Sequence, residues 1–357
     1  MRFETVKNIQ KPVGSKKIPI QNVGQSPIIS TKSSNKNKIY APKSTNIYKN
    51  LKHVKGNDLE EILKECGMDF NARKENLSYK FNDKQMEVPD KVSVVRGDTG
   101  HYLGVVGSTR SIIQFRDALS FTEVFANEGE STYEYGGTTH HGRVAYLVMK
   151  SDDCFEICPG DPIDNYFYVQ TSHDSSKSLM IVPTPIRRGN NSVFVHPDLH
   201  AVKIKHTKHA ALRLVQARKG LEKIKDYFKE FEESFRSLAT VKLDTKVGGD
   251  TIKDRYLRMV FPDGKEKESR AINTREKVED ILLTDPSLKT PPTQNTLLGA
   301  YFAVVFFCDH YLTVKKTKGR DEVTAQIESK ISIDGASARR KAESFAAALK
   351  LKEKLNV

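Results

Sequence analysis

The stretch YEYGGTTHHGRVAYLVMK, residues 133–150, decides how this chain is read. Aromatic and β-branched residues favour a strand from Tyr133 to Gly137, the Gly, Thr and His residues that follow suit a turn, and Arg143 to Lys150 reads as the returning strand. A further pair is expected at Asn165 to Thr171 and Ser178 to Val182. Connections this short join antiparallel neighbours, so the region predicts a mostly antiparallel sheet.

Working towards the N-terminus, strand-like alternation appears at Tyr102 to Val106, Lys91 to Arg96 and Leu77 to Asn82, with Gly97-Asp98-Thr99-Gly100 as a hairpin turn. Asn57 to Gly67 carries a capping residue, early acids and an apolar stripe of Leu59, Ile62, Leu63 and Cys66, which predicts the first helix. A short helix is expected from Arg116 to Ala126.

Towards the C-terminus, Ala201 to Lys205 reads as extended, and His209 to Leu238 repeats apolar residues at helical spacing, predicting one long amphipathic helix. Tyr256 to Val260 with Pro262-Asp263-Gly264 suggests a small hairpin, and with a helix from Asn273 to Leu283 it outlines a hairpin–helix subdomain over 240–290. Helices are expected at Thr293 to Leu312 and Ala336 to Leu355. Strands in the first half and long helices in the second predict one α+β body over residues 57–357.

A hydrophobic content of 38% over 357 residues is enough to fill a core. The apolar run Leu297 to Cys308 is too short for a bilayer and reads as a buried helix, so no membrane partner is expected. The N-terminus lacks a secretory signal, which predicts an intracellular protein, cytoplasmic in its host. Cys66, Cys154, Cys158 and Cys308 form no disulfide framework, and the lone C-x3-C pair implies no zinc. With no Trp, any base stacking falls to Tyr and Phe.

Charge is unevenly placed. Residues 1–57 hold twelve Lys or Arg against Glu4 alone, a local charge of +11 out of +13 for the chain. The arm over residues 1–56 is also rich in Asn, Ser and Pro, which predicts disorder, and its lysines, among them Lys16, Lys17, Lys36 and Lys38, suit a polyanion. In the body, Arg187, Arg188, Lys203, Lys205, His206, Lys208, Arg213, Arg218 and Lys219 are the candidate nucleic-acid contacts, continuing through Lys223 and Lys225 on the long helix. The alternative is an ordinary solvated helix face. Tyr166 and Tyr168, alternating with Phe167 and Val169, could offer accessible rings for stacking or could pack across strands.

Several patterns carry no chemistry. Ser172-His173-Asp174 holds the letters of a hydrolase triad, but consecutive residues of an extended segment face opposite ways. Gly97, Gly100, Gly104 and Gly107 lack the Gly-Lys-Ser/Thr of a phosphate loop. The paired histidines, including His140-His141 and His206 with His209, lack the Glu of a metalloprotease helix, and no metal or cofactor is expected. Asp98, His173 and Asp174 do sit at predicted turn ends, where functional residues gather.

Three runs, VSVVRGDTGHYLGVVGSTRSIIQFRDALSF, YEYGGTTHHGRVAYLVMK and VQTSHDSSKSLMIVPTPIR, resemble a phage- and plasmid-encoded family of unknown function often called phage/plasmid-like proteins. The likeness spans roughly residues 77–350 and takes in TLLGAYFAVVFFCDH near the C-terminus. It implies an accessory gene of a mobile element, in some members beside recombination and single-strand-binding genes. Ile186-Arg187-Arg188-Gly189-Asn190-Asn191 departs from relatives that carry a cysteine and Asn-Thr there, so a role for that cysteine does not transfer.

The leading expectation is therefore a nucleic-acid-associated accessory protein of a phage, plasmid or virus that binds or anneals single-stranded DNA, with a homo-oligomer left open. Its rivals are an enzyme acting on DNA or nucleotides through Asp98, His173, Asp174 and Arg187, and a protein-interaction or counter-defence module. No complete catalytic signature is present.

Overall fold

The structure, a computed structural model, describes residues 51–195, 201–203, 210–264, 268–312, 314, 322–332 and 335–355. All but the last few residues of the expected arm lie outside these.

Strand β1 (Lys52–Gly56) leads into α1 (Leu59–Glu65), which Asp58 caps by accepting a hydrogen bond from the Glu60 N–H, as its sequence predicts. Next come β2 (Ala72–Phe81), β3 (Lys84–Arg96) and β4 (Tyr102–Gly107), an antiparallel sheet in the order β2-β3-β4. Asn82 and Asp83, with φ of +44° and +61°, form a two-residue hairpin turn that the sequence reading overlooked. Strand β3 also starts earlier than expected. It tolerates Pro89 because the register with β2 breaks between Asn76 and Ser78, where no ladder N–H is needed. The expected helix from Arg116 to Ala126 is two short ones, α2 (Phe115–Leu119) and α3 (Thr122–Asn127).

The large sheet contains β5 (Ser131–Thr139), β6 (Val144–Glu156), β7 (Pro162–Ser172), β8 (Met180–Pro183), β9 (Ile186–Arg187), β10 (Ser192–Val193) and β11 (Val202–Lys203). Its order is β1-β5-β6-β7-β8-β11, with the β9–β10 hairpin on β7, and every pairing is antiparallel. Both faces are covered, which explains the unbroken apolar run of β6. Ala145, Leu147, Met149, Phe167 and Val169 face one cluster with α1, α2 and α3; Val144, Tyr146, Val148 and Tyr168 face another closed by Ile327, Ala338 and Ala342. Of the two readings open for Tyr166 and Tyr168, the second cluster bears out packing across strands and not an accessible stacking platform. Both are buried, Tyr168 against Tyr146 and Tyr166 with its hydroxyl donating to Glu134.

Helices follow: α4 (Ala210–Leu238), then the short β12 (Lys246–Val247) and β13 (Asp250–Thr251), α5 (Ile252–Val260), α6 (Glu268–Thr284), α7 (Leu297–Phe306), α8 (Glu322–Gln326) and α9 (Ala336–Lys354). The hairpin expected at Tyr256 to Val260 is instead α5. Thr251 caps it through the Asp254 N–H, and Ile252, Tyr256 and Leu257 recur on one helical face, so the 3.6-residue period prevails. Residues of the 240–290 segment share one apolar cluster with α7 and α9.

Two helices fasten the layers together. Along α4, Leu221, Ile224 and Phe228 enter the sheet cluster while Phe231, Phe235 and Leu238 enter the helical one. Along α9, Ala338 and Ala342 cover the sheet while Phe345, Ala348 and Leu351 join the helices. Helix α7 is buried on every side. The architecture is thus α+β: a large antiparallel sheet from the first half packed with helices from the second. Among the described residues, no helix is long and apolar enough to cross a membrane.

Candidate functional site

Three segments meet at one end of the large sheet: Arg96-Gly97-Asp98 in the β3–β4 turn, His140-His141-Gly142 between β5 and β6, and His173-Asp174 after β7. Arg96 joins them. Its Nε and Nη2 donate to the two carboxylate oxygens of Asp98 at 2.9 and 2.7 Å, its Nη1 donates to the His141 carbonyl at 3.2 Å, and its guanidinium lies 3.8 Å over the Phe70 ring. Hydrogen bonding to Arg96 holds the Asp98 carboxyl down at about 2.

The β5–β6 connection is left-handed at three consecutive residues, with φ of +52° at His140, +58° at His141 and +97° at Gly142. A side chain at 142 would meet both Phe70 and Arg96 within 3 Å, so only glycine fits. His140 Nε2 lies 2.6 Å from a Glu328 carboxylate oxygen, tying the turn to the wide helical turn Ile327–Ile331, and the His141 ring stacks on His101 at 4.7 Å.

His173 is buried, stacked on Phe115 at 3.8 Å and edge-on to Phe70 at 5.4 Å. Its Nδ1 lies 3.2 Å from the Ile113 carbonyl, which can only accept, so Nδ1 carries the proton and Nε2 keeps a lone pair. That Nε2 is buried without a hydrogen-bond partner among the described residues. Burial pushes the His173 pKa down to about 4, so the ring is neutral at pH 7. Asp174 accepts from the Ser176 N–H at 3.0 Å and faces Arg143 Nε at 3.8 Å. Gly104 of β4 runs directly beneath it, since a Cβ there would sit 2.5 Å from that of Asp174.

The turn residues Asp98, His173 and Asp174 thus share one neighbourhood. They do not form a triad, because Ser172 Oγ bonds the Lys177 backbone, His173 reaches Ile113, and Asp174 turns to Ser176. Arg187 is elsewhere. It pairs in register with Ile163, ten residues up β7 from His173 and therefore roughly 30 Å away.

Burial of Arg187 also corrects its expected role as a phosphate contact. Its guanidinium donates to both oxygens of Asp161 at 2.7 and 2.6 Å and to the Ser287 carbonyl, over the Phe302 ring. Neighbouring Arg188 is exposed but grips Asp164 through two bonds of 3.1 and 2.5 Å. On the predicted basic face, Lys203, Lys219 and Lys223 are exposed, while Lys225 is paired with Glu130 at 2.9 Å. Lys205, His206 and Lys208 lie outside the described residues, as do Lys16, Lys17, Lys36 and Lys38; Arg213 and Arg218 fall within α4, but their side chains are not described.

Residues 102–330 match the family described as Domain of unknown function (DUF932). The chain belongs to that family. No curated protein and no solved structure matches it. The DUF932 region supplies β4, most of the large sheet and helices α2 to α8, together with His140, His141, Arg143, His173, Asp174 and Glu328. Arg96, Asp98 and Phe70 lie before it, so the cluster joins the family domain to the segment that precedes it.

Sequence reasoning missed Phe70, Arg143 and Glu328. The first and last act across 26 and 188 residues of chain, on Arg96 and His140, and no local pattern marks either. Arg96 was legible only as the end of a strand beside a turn.

Proposed function

We propose that this DUF932 protein is an accessory factor of a phage, plasmid or virus that binds single-stranded nucleic acid, DNA foremost, with residues 1–57 as its main polycation. The observation that carries the reading is the placement of +11 of the net +13 charge in that segment. Phosphates that meet such a segment release condensed counterions, and the entropy of that release drives association whatever the base sequence. The folded body supports this in a subsidiary way. Several of its candidate cations already serve carboxylates, namely Arg187, Arg188 and Lys225, which leaves Lys203, Lys219 and Lys223 as described exposed ones. The mobile-element setting comes from the resemblance of the three motif runs.

Salt titration of binding to a single-stranded oligonucleotide tests the proposal. If about six phosphates are neutralised, log affinity falls against log salt with a slope near −4, and Lys16→Ala, Lys17→Ala, Lys36→Ala and Lys38→Ala together make that slope shallower by about 3. Absence of binding, or affinity indifferent to salt, would exclude this function.

A further inference from the structure

Most large apolar side chains of the described residues are spent in the three cores, but the distal half of the β2–β3 hairpin is an exception. Strand β4 pairs with β3 only from Lys91 to Val95, so the ribbon from Ser78 to Glu87 extends beyond the third strand of its sheet. Tyr79 faces Met86 across the ribbon and Phe81 faces Lys84, which puts the four on one face. Tyr79 is 53% exposed, Phe81 63% and Met86 44%. The opposite face carries Ser78, Lys80, Gln85 and Glu87, with Gln85 bonded to Ser78. The left-handed Asn82-Asp83 turn pins this register, so the exposed rings are a built feature of the hairpin.

We infer that this ribbon is a base-stacking element for single-stranded nucleic acid, with Tyr79 and Phe81 as its rings. The inference rests on the nucleic-acid reading above. Residues two apart on a strand stand about 6.8 Å from one another, twice the roughly 3.4 Å spacing of successive nucleotides, so a single unpaired base fits between the two rings. Lys84 stands beside Phe81 on the same face to meet phosphate. Lys80 lies on the opposite face, paired among the described residues with Asp83 at side-chain exposures of 71% and 93%, and takes no part in the ring face. A second copy of the chain fits less well. The three side chains offer on the order of 300 Å² of contact, against about 800 Å² per partner in a stable interface, and two copies of a +13 chain repel each other. A single strand of nucleic acid needs no such area, because each stacked base contributes separately and the opposite charge attracts.

The test compares the full-length protein with the variant carrying Tyr79→Ala and Phe81→Ala, using a single-stranded oligonucleotide that contains 2-aminopurine. Both rings are solvent-facing, so the unfolding midpoint of the variant stays within about a degree of the parent. At fixed salt the variant binds more weakly, on the order of tenfold per ring, with the salt slope unchanged because phosphate contacts remain. The parent quenches 2-aminopurine by stacking and the double variant does not, while Phe81→Tyr behaves like the parent. Equal affinity and equal quenching in parent and double variant would overturn the stacking role and leave the polycation reading standing. No binding of any nucleic acid by the parent would overturn both. A parent that light scattering shows to be a dimer, and a double variant that is a monomer, would reassign the ribbon to self-association.

Discussion

Arg187 and Arg188 are adjacent residues of one chemical type, yet their side chains are 2% and 57% exposed. The pleat points one into the molecule, where Asp161, Ser287 and Phe302 enclose it, and the other into water beside Asp164. Removing a partner from a buried pair strands the other charge, so Arg187→Ala is expected to cost about 3–5 kcal/mol in chemical denaturation. Arg188→Ala should cost less, about 1–2 kcal/mol, because Arg188 itself is exposed and Lys150, 3.6 Å from the buried Asp164 carboxylate, still faces that charge. His173 gives a pH signature. Its folded pKa of about 4 lies below the unfolded value of 6.5, so the unfolded chain takes up the proton first as pH falls. Stability from this residue is therefore complete above about pH 6.5 and is lost between there and pH 4, a drop on the order of 3 kcal/mol. His173→Phe should flatten that part of the stability–pH curve, measured as the difference between the two proteins because Asp174 and Arg96 also face the ring.

At the scale of elements, the β5–β6 connection holds the site together. Gly142→Ala would force a Cβ against Phe70 and Arg96 in a left-handed conformation that L-residues resist, and a loss of about 2–4 kcal/mol in thermal unfolding is expected. Helix α5 shows the opposite economy, a short helix whose start depends on one hydroxyl. Thr251→Ala should cost about 1 kcal/mol, whereas Thr251→Ser should be close to neutral. Its misreading as a strand has a physical cause: five residues around Tyr256 fit either period, and the deciding contacts, Tyr256 to the Ser344 carbonyl among them, come from 88 residues away.

Over the whole molecule, the family match and the folding unit do not coincide. The match ends at residue 330, but α9 begins at Ala336 and contributes to two of the three cores. A fragment limited to 102–330 should therefore fail to give dispersed amide resonances, while one that starts at Leu51 and extends through Val357, and so restores Phe70, Arg96 and α9, should regain them. Much of this was open to inspection in the residue order. Periodicity is a local property, so α1, α4 and the antiparallel run from Tyr133 to Val182 were readable from their own spacing and caps, as was the charge of residues 1–57, which needs no geometry. What could not be read was which polar side chains are used up by partners and which apolar ones are left over. Arg187 and Tyr168 vanish into the interior and Tyr79 and Phe81 emerge from it because the packing of sheet on helices, a sum of contacts between residues tens to hundreds of positions apart, settles which face of each strand meets water.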